Sequence, residues 1–388
     1  MRILHVIPSI SERSGGPAHA IFPMCRALLK RGFDIAIATT NDGVTNGARA
    51  NGYGPNGNSH KGVQTYIFPI TLNHSFKYSR SLANWLTLNV RQYDAVHIHA
   101  VFNHACVAAA RACQKQQIPY VVRPLGTLDP WSMQQSPLRK KVFWQLVGRQ
   151  MLNRASVVHY TAQAELRATE SYLNLNRGLV IPLGVEVDQT TSETVPLEPI
   201  IGDAASHPYV LVLSRLHEKK GLDVLIEAFL NLTNTSDLSD WRLIIAGEGE
   251  QAYISRLKQI VARRKAKGMV TFVGWLSGSQ KQAVLDHASL LALPSFQENF
   301  GLCVVEALAS GVPVLVSPQV NLAEEINGAA AGWVSEVDVS ALEGRLAESL
   351  GNEDERLRRS TAGRQFAQQF SWNKAAESLE QLYMSIKH

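Results

Sequence analysis

Two glutamates, Glu298 and Glu306, are separated by seven residues in the C-terminal half of the chain, in a segment that reads as a loop followed by a short helix. Gly301 allows a ligand to approach the backbone, and a helix that begins at Leu302 offers unpaired N–H groups to an anion. A carboxylate at Glu306, about one turn into that helix, can accept both hydroxyls of a ribose diol. This arrangement suggests a sugar-nucleotide site, with phosphate at the helix start and the sugar beside Glu298. The same spacing also fits a purely structural arrangement, in which the loop glutamate caps the helix and Glu306 is exposed to solvent.

The surrounding sequence predicts the elements that hold these groups. Residues 290–295 form a short apolar run of buried-strand type, and residues 312–316 form another. Between them, Leu302–Ser310 has helical spacing and is ended by Gly311 and Pro313. The segment is therefore predicted to be a strand–loop–helix–strand unit that carries one glutamate in its loop and one on its helix.

Two cations follow an earlier predicted strand of the same half. Tyr209–Leu213 is apolar, and Arg215 and Lys220 lie in the loop behind it. Two such cations can hold both phosphates of a diphosphate, and arginine can do so bidentately. Exposed arginine and lysine side chains that only solvate a surface would look the same in sequence. A further strand, residues 241–246, ends at Gly247 in a tight turn that permits close packing.

The N-terminal half repeats the strand–helix alternation. After a first strand at residues 3–7, Gly15 and Gly16 precede a helix, which is a weak phosphate-binding pattern. His99 lies near the carboxyl end of another predicted strand, where parallel sheets bind ligands, and a purely structural histidine fits equally. Alternation on both sides of residues 188–208 indicates two parallel α/β sheets.

The central segment resembles a known signature. Glu-Asn-Phe-Gly-Leu at 298–302, followed by Val-Val-Glu-Ala-Leu-Ala-Ser-Gly-Val-Pro-Val at 304–314, resembles the donor site of the retaining glycosyltransferases of family 4. The resemblance covers nearly the whole chain and is most specific at 213–313. It implies a GT-B fold, in which two Rossmann-like domains face each other across a cleft. The expected division is an N-terminal domain at 1–188, a linker at 189–207, a nucleotide-sugar domain at 208–368 and a helix at 369–388 that crosses back.

The resemblance also implies roles for individual residues. The catalytic groups would be Glu298, Arg215 and Lys220. Many family members have a histidine near the transferred sugar where this chain has Leu125. Arg123 or the backbone of Gly126 could take over that contact. His99 is a further candidate for a contact on the acceptor or sugar side. The residues expected to bind the nucleotide sugar are Gly15, Gly16, Arg215, Lys220, Gly247, Trp275, Leu276, Glu298, Asn299, Phe300, Gly301, Leu302 and Glu306.

The implied activity is transfer of a hexose from a nucleotide diphosphate sugar to a hydroxyl of a glycan or lipid-linked glycan, with retention of configuration, in polysaccharide biosynthesis. UDP-glucose is the expected donor from family frequency alone. A nucleotide-sugar epimerase and a non-catalytic nucleotide-sugar binding module remain alternatives. The sequence contains no Asp-x-Asp pair, the usual carrier of a diphosphate-bound cation, so we expect no metal and no other cofactor.

Composition narrows the class of protein. The chain has 388 residues, a net charge of +5 and only four scattered cysteines. This mildly basic balance suits anionic substrates or an anionic membrane surface and does not indicate nucleic-acid binding. No cysteine pair suggests a disulfide or zinc site, and no apolar run approaches the length of a spanning helix. We therefore expect a cytoplasmic protein, with the inner face of the membrane as a candidate location.

Two further segments carry expectations. Residues 139–149 mix Arg139, Lys140 and Lys141 with large apolar residues at helical spacing. Such a helix can lie on an anionic membrane, or it can face the core with a solvated basic edge, and the second interpretation is slightly favoured. Residues 41–61 are rich in glycine and asparagine without apolar periodicity, which predicts a surface loop.

Overall fold

The computed structural model describes residues 1–11, 14–43, 57–72, 75–135, 137–186, 195–235, 238–266 and 268–387. It divides into two compact units. Unit 1 comprises Met1–Gly184 and Trp372–His388, and unit 2 comprises Val185–Ser371. The chain thus returns to unit 1 for its last helix. The expected boundaries at 188 and 189 fall on residues 187–194, which lie outside the described residues.

Unit 1 is built on one sheet whose spatial order is β3-β4-β2-β1-β5-β6-β7-β8. Every neighbouring pair is parallel except β3 and β4, which are antiparallel. The strands are β1 Arg2–Ile7, β2 Asp34–Thr40, β3 Asn58–His60, β4 Val63–Phe68, β5 Ala95–His99, β6 Tyr120–Arg123, β7 Val157–Tyr160 and β8 Gly178–Val180.

Helices cover both faces of this sheet, as parallel pairing requires. They are α1 Gly16–Lys30, α2 Arg80–Asn89, α3 His104–Gln116, α4 Pro130–Gln134, α5 Pro137–Phe143, α6 Arg149–Asn153, α7 Gln163–Leu173 and, at the end of the chain, α16 Trp372–Ser385. One apolar core lies under α1 and α16, and a second lies on the opposite face under α2 and α3.

Unit 2 holds an all-parallel sheet of order β11-β10-β9-β12-β13-β14. Its strands are β9 Tyr209–Leu213, β10 Arg242–Ala246, β11 Val270–Gly274, β12 Leu290–Leu293, β13 Val314–Val316 and β14 Gly332–Val334. Its helices are α8 Glu198–Ile201, α9 Leu222–Thr235, α10 Gln251–Arg263, α11 Gly278–Asp286, α12 Leu302–Ser310, α13 Ala323–Gly328, α14 Val339–Gly351 and α15 Glu353–Ala367.

The strand order fixes where a ligand site can form. In unit 2 the order reverses between β9 and β12, which are direct neighbours in the sheet. The crevice at such a reversal, beyond the carboxyl ends of the strands, is the usual ligand site of open parallel sheets. The loop that carries Arg215 and Lys220 leaves β9 there, and the loop that carries Glu298 leaves β12.

Three expectations need correction. Part of the predicted loop at 41–61 is strand β3, which pairs with β4, while residues 44–56 lie outside the described residues. The predicted linker contains α8 and a 3-10 turn at Gly202–Ser206, both within unit 2. The predicted helix at 139–149 is interrupted by a π-helical turn, Trp144–Gly148, between α5 and α6.

Candidate functional site

Backbone hydrogen bonds tie the loop after β12 to the loops after β13 and β9. The N–H of Glu298 donates to the carbonyl of Gln319 at 3.0 Å, and the N–H of Asn321 donates to the carbonyl of Glu298 at 3.1 Å. The N–H of Phe296 donates to the carbonyl of Lys219 at 2.8 Å, which ties this loop to the loop after β9. The two loops at the sheet reversal are therefore joined directly, and the side chain of Glu298 is held at their junction.

The catalytic candidates Lys220 and Glu298 form an ion pair in this junction, Nζ to Oε2. Lys220 is the more enclosed partner, with 8% of its side chain exposed against 18% for Glu298. A short 3-10 turn, Glu218–Lys220, presents the lysine and is capped by the imidazole of His217, which accepts from the N–H of Lys219. The sequence placed both residues at one site, and the structure brings their charged atoms into contact.

Electrostatics keep this glutamate ionised. Burial alone would raise the pKa of Glu298, but Lys220 and Lys219 outweigh it, so the pKa lies below its ordinary value. The pKa of Lys219 is lowered to about 8, first by burial and then by repulsion from its cationic neighbours Lys220 and Arg215. Two lysines beside one carboxylate, with Arg215 near Lys219, leave positive charge in excess at this junction, which favours an anionic ligand.

Glu306 on α12 is also paired. Its Oε2 lies 2.6 Å from Nζ of Lys281 on α11, and about a third of each side chain is exposed. The pair lies across the contact between α11 and α12, where Gln282 also donates to the hydroxyl of Ser310 at 3.0 Å. The carboxylate proposed for a ribose is thus held in one orientation by a lysine that the sequence analysis did not single out.

The start of α12 has the geometry that the sequence predicted. Gly301 precedes the helix with φ +71°, in the left-handed region that favours glycine, and its carbonyl accepts from the N–H of Val304 at 2.8 Å. Phe300 is buried and packs edge-on against Phe370 within unit 2, with ring centroids 5.8 Å apart. The side-chain oxygen of Asn299 accepts a hydrogen bond from the side-chain amide of Asn321 at 3.4 Å. Phe300 therefore supports the loop from inside, and Leu302 begins the helix.

A close backbone contact within unit 2 explains why the residue after β10 is a glycine. A Cβ on Gly247 would lie 1.8 Å from the carbonyl oxygen of Ser214, and its φ is +147°. The close approach that requires glycine is therefore to the loop after β9. Leu276 is buried and Trp275 is half-buried in the loop after β11, while Arg215 is exposed. All four residues lie on loops at the carboxyl edge of the unit 2 sheet.

The predicted site residues of unit 1 are placed differently from one another. Gly15 adopts φ +91° before the first residue of α1, Gly16, so the glycine-rich turn has the predicted form. His99 and Arg123 are both completely buried. The N–H of Gly126 donates to the carboxylate of Glu165 at 2.7 Å. We therefore no longer assign acceptor or sugar contacts to His99, Arg123 or the Gly126 amide.

The two buried residues belong to a polar cluster on one face of the unit 1 sheet. The cluster consists of one arginine, Arg123, and four histidines, which are His5, His97, His99 and His159. It contacts Tyr383 of α16 through His97. Two of the rings, His97 and His159, form a chain of contacts of 2.7–3.2 Å from the phenol of Tyr383 to the carbonyl of Ile181. His5 and His99 form a separate pair, with ring nitrogens 2.9 Å apart. Burial first, and Arg123 or neighbouring imidazoles next, lower the pKa of every one of these histidines.

Three members of this cluster have ring nitrogens close enough to hold a metal ion together. These atoms of His5, His97 and His99 lie within 4.8 Å of one another. Arg123 stands beside them, and two of its guanidinium nitrogens have no hydrogen-bond partner among the described residues. A divalent cation next to that buried guanidinium would be repelled. The cluster therefore fits neutral imidazoles better than a metal centre.

Two regions of the chain match family models. Residues 15–184 match the model described as "Glycosyl transferase 4-like domain", and residues 199–366 match "Glycosyl transferases group 1". The first match falls entirely within unit 1 and the second entirely within unit 2. Together they span most of the chain.

Curated relatives are glycosyltransferases of several kinds. The chain is 25% identical over 298 residues to D-inositol 3-phosphate glycosyltransferase of Nocardia farcinica, an alignment that covers 75% of this chain and 66% of that protein. It is 24% identical over 281 residues to the putative colanic acid biosynthesis glycosyltransferase WcaL of Escherichia coli, covering 68% of each. It is 32% identical over 180 residues to glycogen synthase of Mycobacterium tuberculosis, covering 46% of this chain and 42% of that one.

Solved structures share the fold at low identity. Anabaena Alr3699/HepE in complex with UDP and glucose superposes with a TM-score of 0.79 at 20% identity, covering 99% of this chain and 100% of that one. Sucrose-phosphate synthase from Thermosynechococcus elongatus superposes with a TM-score of 0.75 at 18% identity, covering 99% and 98%. Both relatives have the same two-domain fold as this chain. At such low sequence identity, the similarity establishes the fold and nothing about function.

Proposed function

Because the chain belongs to family 4 of the glycosyltransferases and has their GT-B fold, we propose that it transfers a hexose from a nucleotide diphosphate sugar to a hydroxyl of a glycan or lipid-linked glycan. The proposed donor is UDP-glucose, and the proposed outcome is retention of configuration. The observation that carries this proposal is the junction at the unit 2 sheet reversal, where Lys220 and Lys219 flank Glu298 before the start of α12 and Arg215 lies close enough to repel Lys219.

The charges of this junction suit a departing diphosphate. When the bond between the sugar and its phosphate oxygen breaks, negative charge grows on that oxygen, and nearby cations stabilise it. We propose that Lys220 shifts from Glu298 toward the diphosphate when the donor binds, and that Arg215 contacts the diphosphate as well. The departing phosphate oxygen then takes the proton of the acceptor hydroxyl as the new glycosidic bond forms on the same face. Glu298, held ionised, faces the positive charge that develops on the sugar.

The ribose is proposed to bind through Glu306. Its carboxylate can accept hydrogen bonds from both ribose hydroxyls while Lys281 holds one of its oxygens. No metal is required by this scheme, because three cations and the helix start supply the positive field around the diphosphate. Metal independence stays a proposal, and so do a role in polysaccharide biosynthesis and the uridine base. Anabaena Alr3699/HepE, which shares the fold, has been solved in complex with UDP and glucose and in complex with UDP-glucose, and a UDP donor for this chain is compatible with that.

The test is incubation of the purified chain with a panel of nucleotide sugars and candidate acceptors, followed by separation of the nucleotides and NMR of the sugar products. Free nucleotide diphosphate with a new glycoside of unchanged anomeric configuration is expected. An epimerised nucleotide sugar would replace the proposal with the epimerase alternative. Binding detected by thermal shift, without turnover of any donor, would favour the binding-module alternative.

A further inference from the structure

The segment of α5 and the π-helical turn exposes a row of large aliphatic side chains. Leu138, Val142 and Leu146 follow one another at intervals of four residues, with 75%, 49% and 73% of their surface exposed. Residues at this spacing lie on one side of a helix. This row, called the 138–146 stripe below, therefore presents an apolar face to solvent.

The opposite side of the same helix packs on the core of unit 1. Phe143 contacts Phe102 with ring centroids 5.1 Å apart, and the ammonium of Lys140 lies 5.1 Å from the centre of the same ring. Lys140 also donates to the carbonyl of Ser132 at 2.5 Å. The helix thus has a side that faces the core, as the slightly favoured interpretation of the sequence expected. The residues on that side are Lys140 and Phe143. The aliphatic residues of the stripe take no part in it.

The charge around the stripe is of one sign. Residues 130–164 contain no aspartate or glutamate and contain Arg139, Lys140, Lys141, Arg149 and Arg154. Arg139, Lys141 and Arg149 are exposed, and none of them forms an ion pair in the part of the chain that the structure describes. An apolar row bordered by unpaired cations complements a surface that is apolar inside and anionic at its edge.

We propose that the 138–146 stripe is a docking surface for an anionic phospholipid membrane. The helix would lie in the plane of the interface, with its leucines among the acyl chains and its cations at the head groups. Among the described residues no helix is long and apolar enough to span a bilayer. The proposal concerns unit 1 alone and does not depend on the proposed transfer reaction, since it is tested without donor or acceptor.

The experiment measures co-sedimentation of the purified full chain with vesicles of phosphatidylcholine alone, or of phosphatidylcholine mixed with phosphatidylglycerol. Binding is expected only with the mixed vesicles, and added salt should weaken it. Each basic side chain near such a surface contributes about fivefold to partitioning, so Arg139→Ser with Lys141→Ser should lower it about 25-fold. The matched control is Arg263→Ser with Lys265→Ser, which removes two exposed cations at the end of α10 and should leave partitioning unchanged.

The apolar contribution has its own matched pair. Leu138→Ser should reduce partitioning about tenfold, whereas Leu88→Ser, which alters a leucine of α2 that is 77% exposed, should not. Circular dichroism of each variant checks that it remains folded. Equal binding to both kinds of vesicle, or equal losses in the stripe and control variants, would overturn the proposal. So would a parent dimer that Leu138→Ser converts to a monomer without change in vesicle binding, since a second copy would then be the occupant.

Discussion

Mild acid should unfold unit 1, because its sheet buries four histidines in their neutral form. The ordinary pKa of 6.5 is lowered to about 3 for His5 and for His159, and well below its usual range for His97 and His99, with burial as the first cause. The unfolded chain therefore binds more protons than the folded chain as pH falls below about 6.5. The stabilisation from these groups is present above that pH and is lost as pH falls toward about 3.

The size of the effect follows from proton linkage. Each neutral histidine loses about 1.4 kcal/mol of stabilisation between about pH 7.5 and about pH 5.5. Four of them together lose about 5.5 kcal/mol, which is comparable with the whole stability of many domains. Glu165 acts in the opposite direction, because burial raises its pKa. Because one carboxyl group opposes four histidines, the free energy of unfolding should still increase steeply with pH.

The assay is urea unfolding followed by circular dichroism across this pH range, with hydrogen exchange to separate the strands of the two units. The buried histidines all lie in unit 1 among the described residues, so unit 1 should lose protection first. His97→Gln should make the pH dependence shallower by about one proton, whereas His287→Gln, at an exposed position after α11, should not. A free energy of unfolding that stays constant from about pH 7.5 down to about pH 5.5 would show that the four histidines are not buried in their neutral form.

Four other predictions concern the unit 2 site. Glu306→Ala should weaken binding of UDP by about 1.5 kcal/mol in calorimetric titration, a loss near the lower end for charged hydrogen bonds because the group is partly exposed; unchanged affinity would leave it a structural role. Lys281→Met should narrow the difference in affinity between UDP and 2′-deoxy-UDP, and an unaltered ratio would remove the lysine from ribose recognition. Gly247→Ala should destabilise unit 2 by about 2–3 kcal/mol in urea unfolding, because its Cβ would meet the Ser214 carbonyl; equal stability would show that the loop yields. Activity should survive chelation of divalent metals, and a loss that magnesium or manganese restores would contradict metal independence.

The donor motif could be read from sequence because its elements are local. The apolar run of β12, the glycine at 301 and the stop signals at 311 and 313 all lie within about two dozen residues. The structure gives helix Leu302–Ser310 the predicted bounds. Local pattern was sufficient here, since each signal acts on its immediate neighbours.

The partners of these residues could not be read in the same way. Lys281 is 25 residues from Glu306 on another helix, and its pairing depends on how the two helices pack. His5 and His99 are 94 residues apart, and they meet because β1 pairs with β5 in one particular register. Sequence spacing carries neither fact, because both arise from tertiary packing.

The 138–146 stripe shows a third limit. A helix that packs its leucines on a core and a helix that leaves them in water have the same spacing. The interpretation slightly favoured from sequence had the apolar residues facing inward, whereas in the structure Phe143 faces inward and Leu138 and Leu146 face solvent. Which side of this helix is covered follows from contacts with Phe102, and sequence periodicity does not contain them.

The transfer mechanism proposed above requires that the lysines beside Glu298 stabilise a departing diphosphate. The most direct measurement is the single-turnover rate of sugar transfer from saturating UDP-glucose, or from whichever donor the panel identifies, by the parent and by Lys220→Ala. We expect the rate to fall about 10²–10³-fold while donor affinity falls less, because the interaction strengthens only as the bond breaks. A variant that weakens donor binding but transfers sugar at the parent rate would contradict this mechanism, and would make Lys220 a binding residue only.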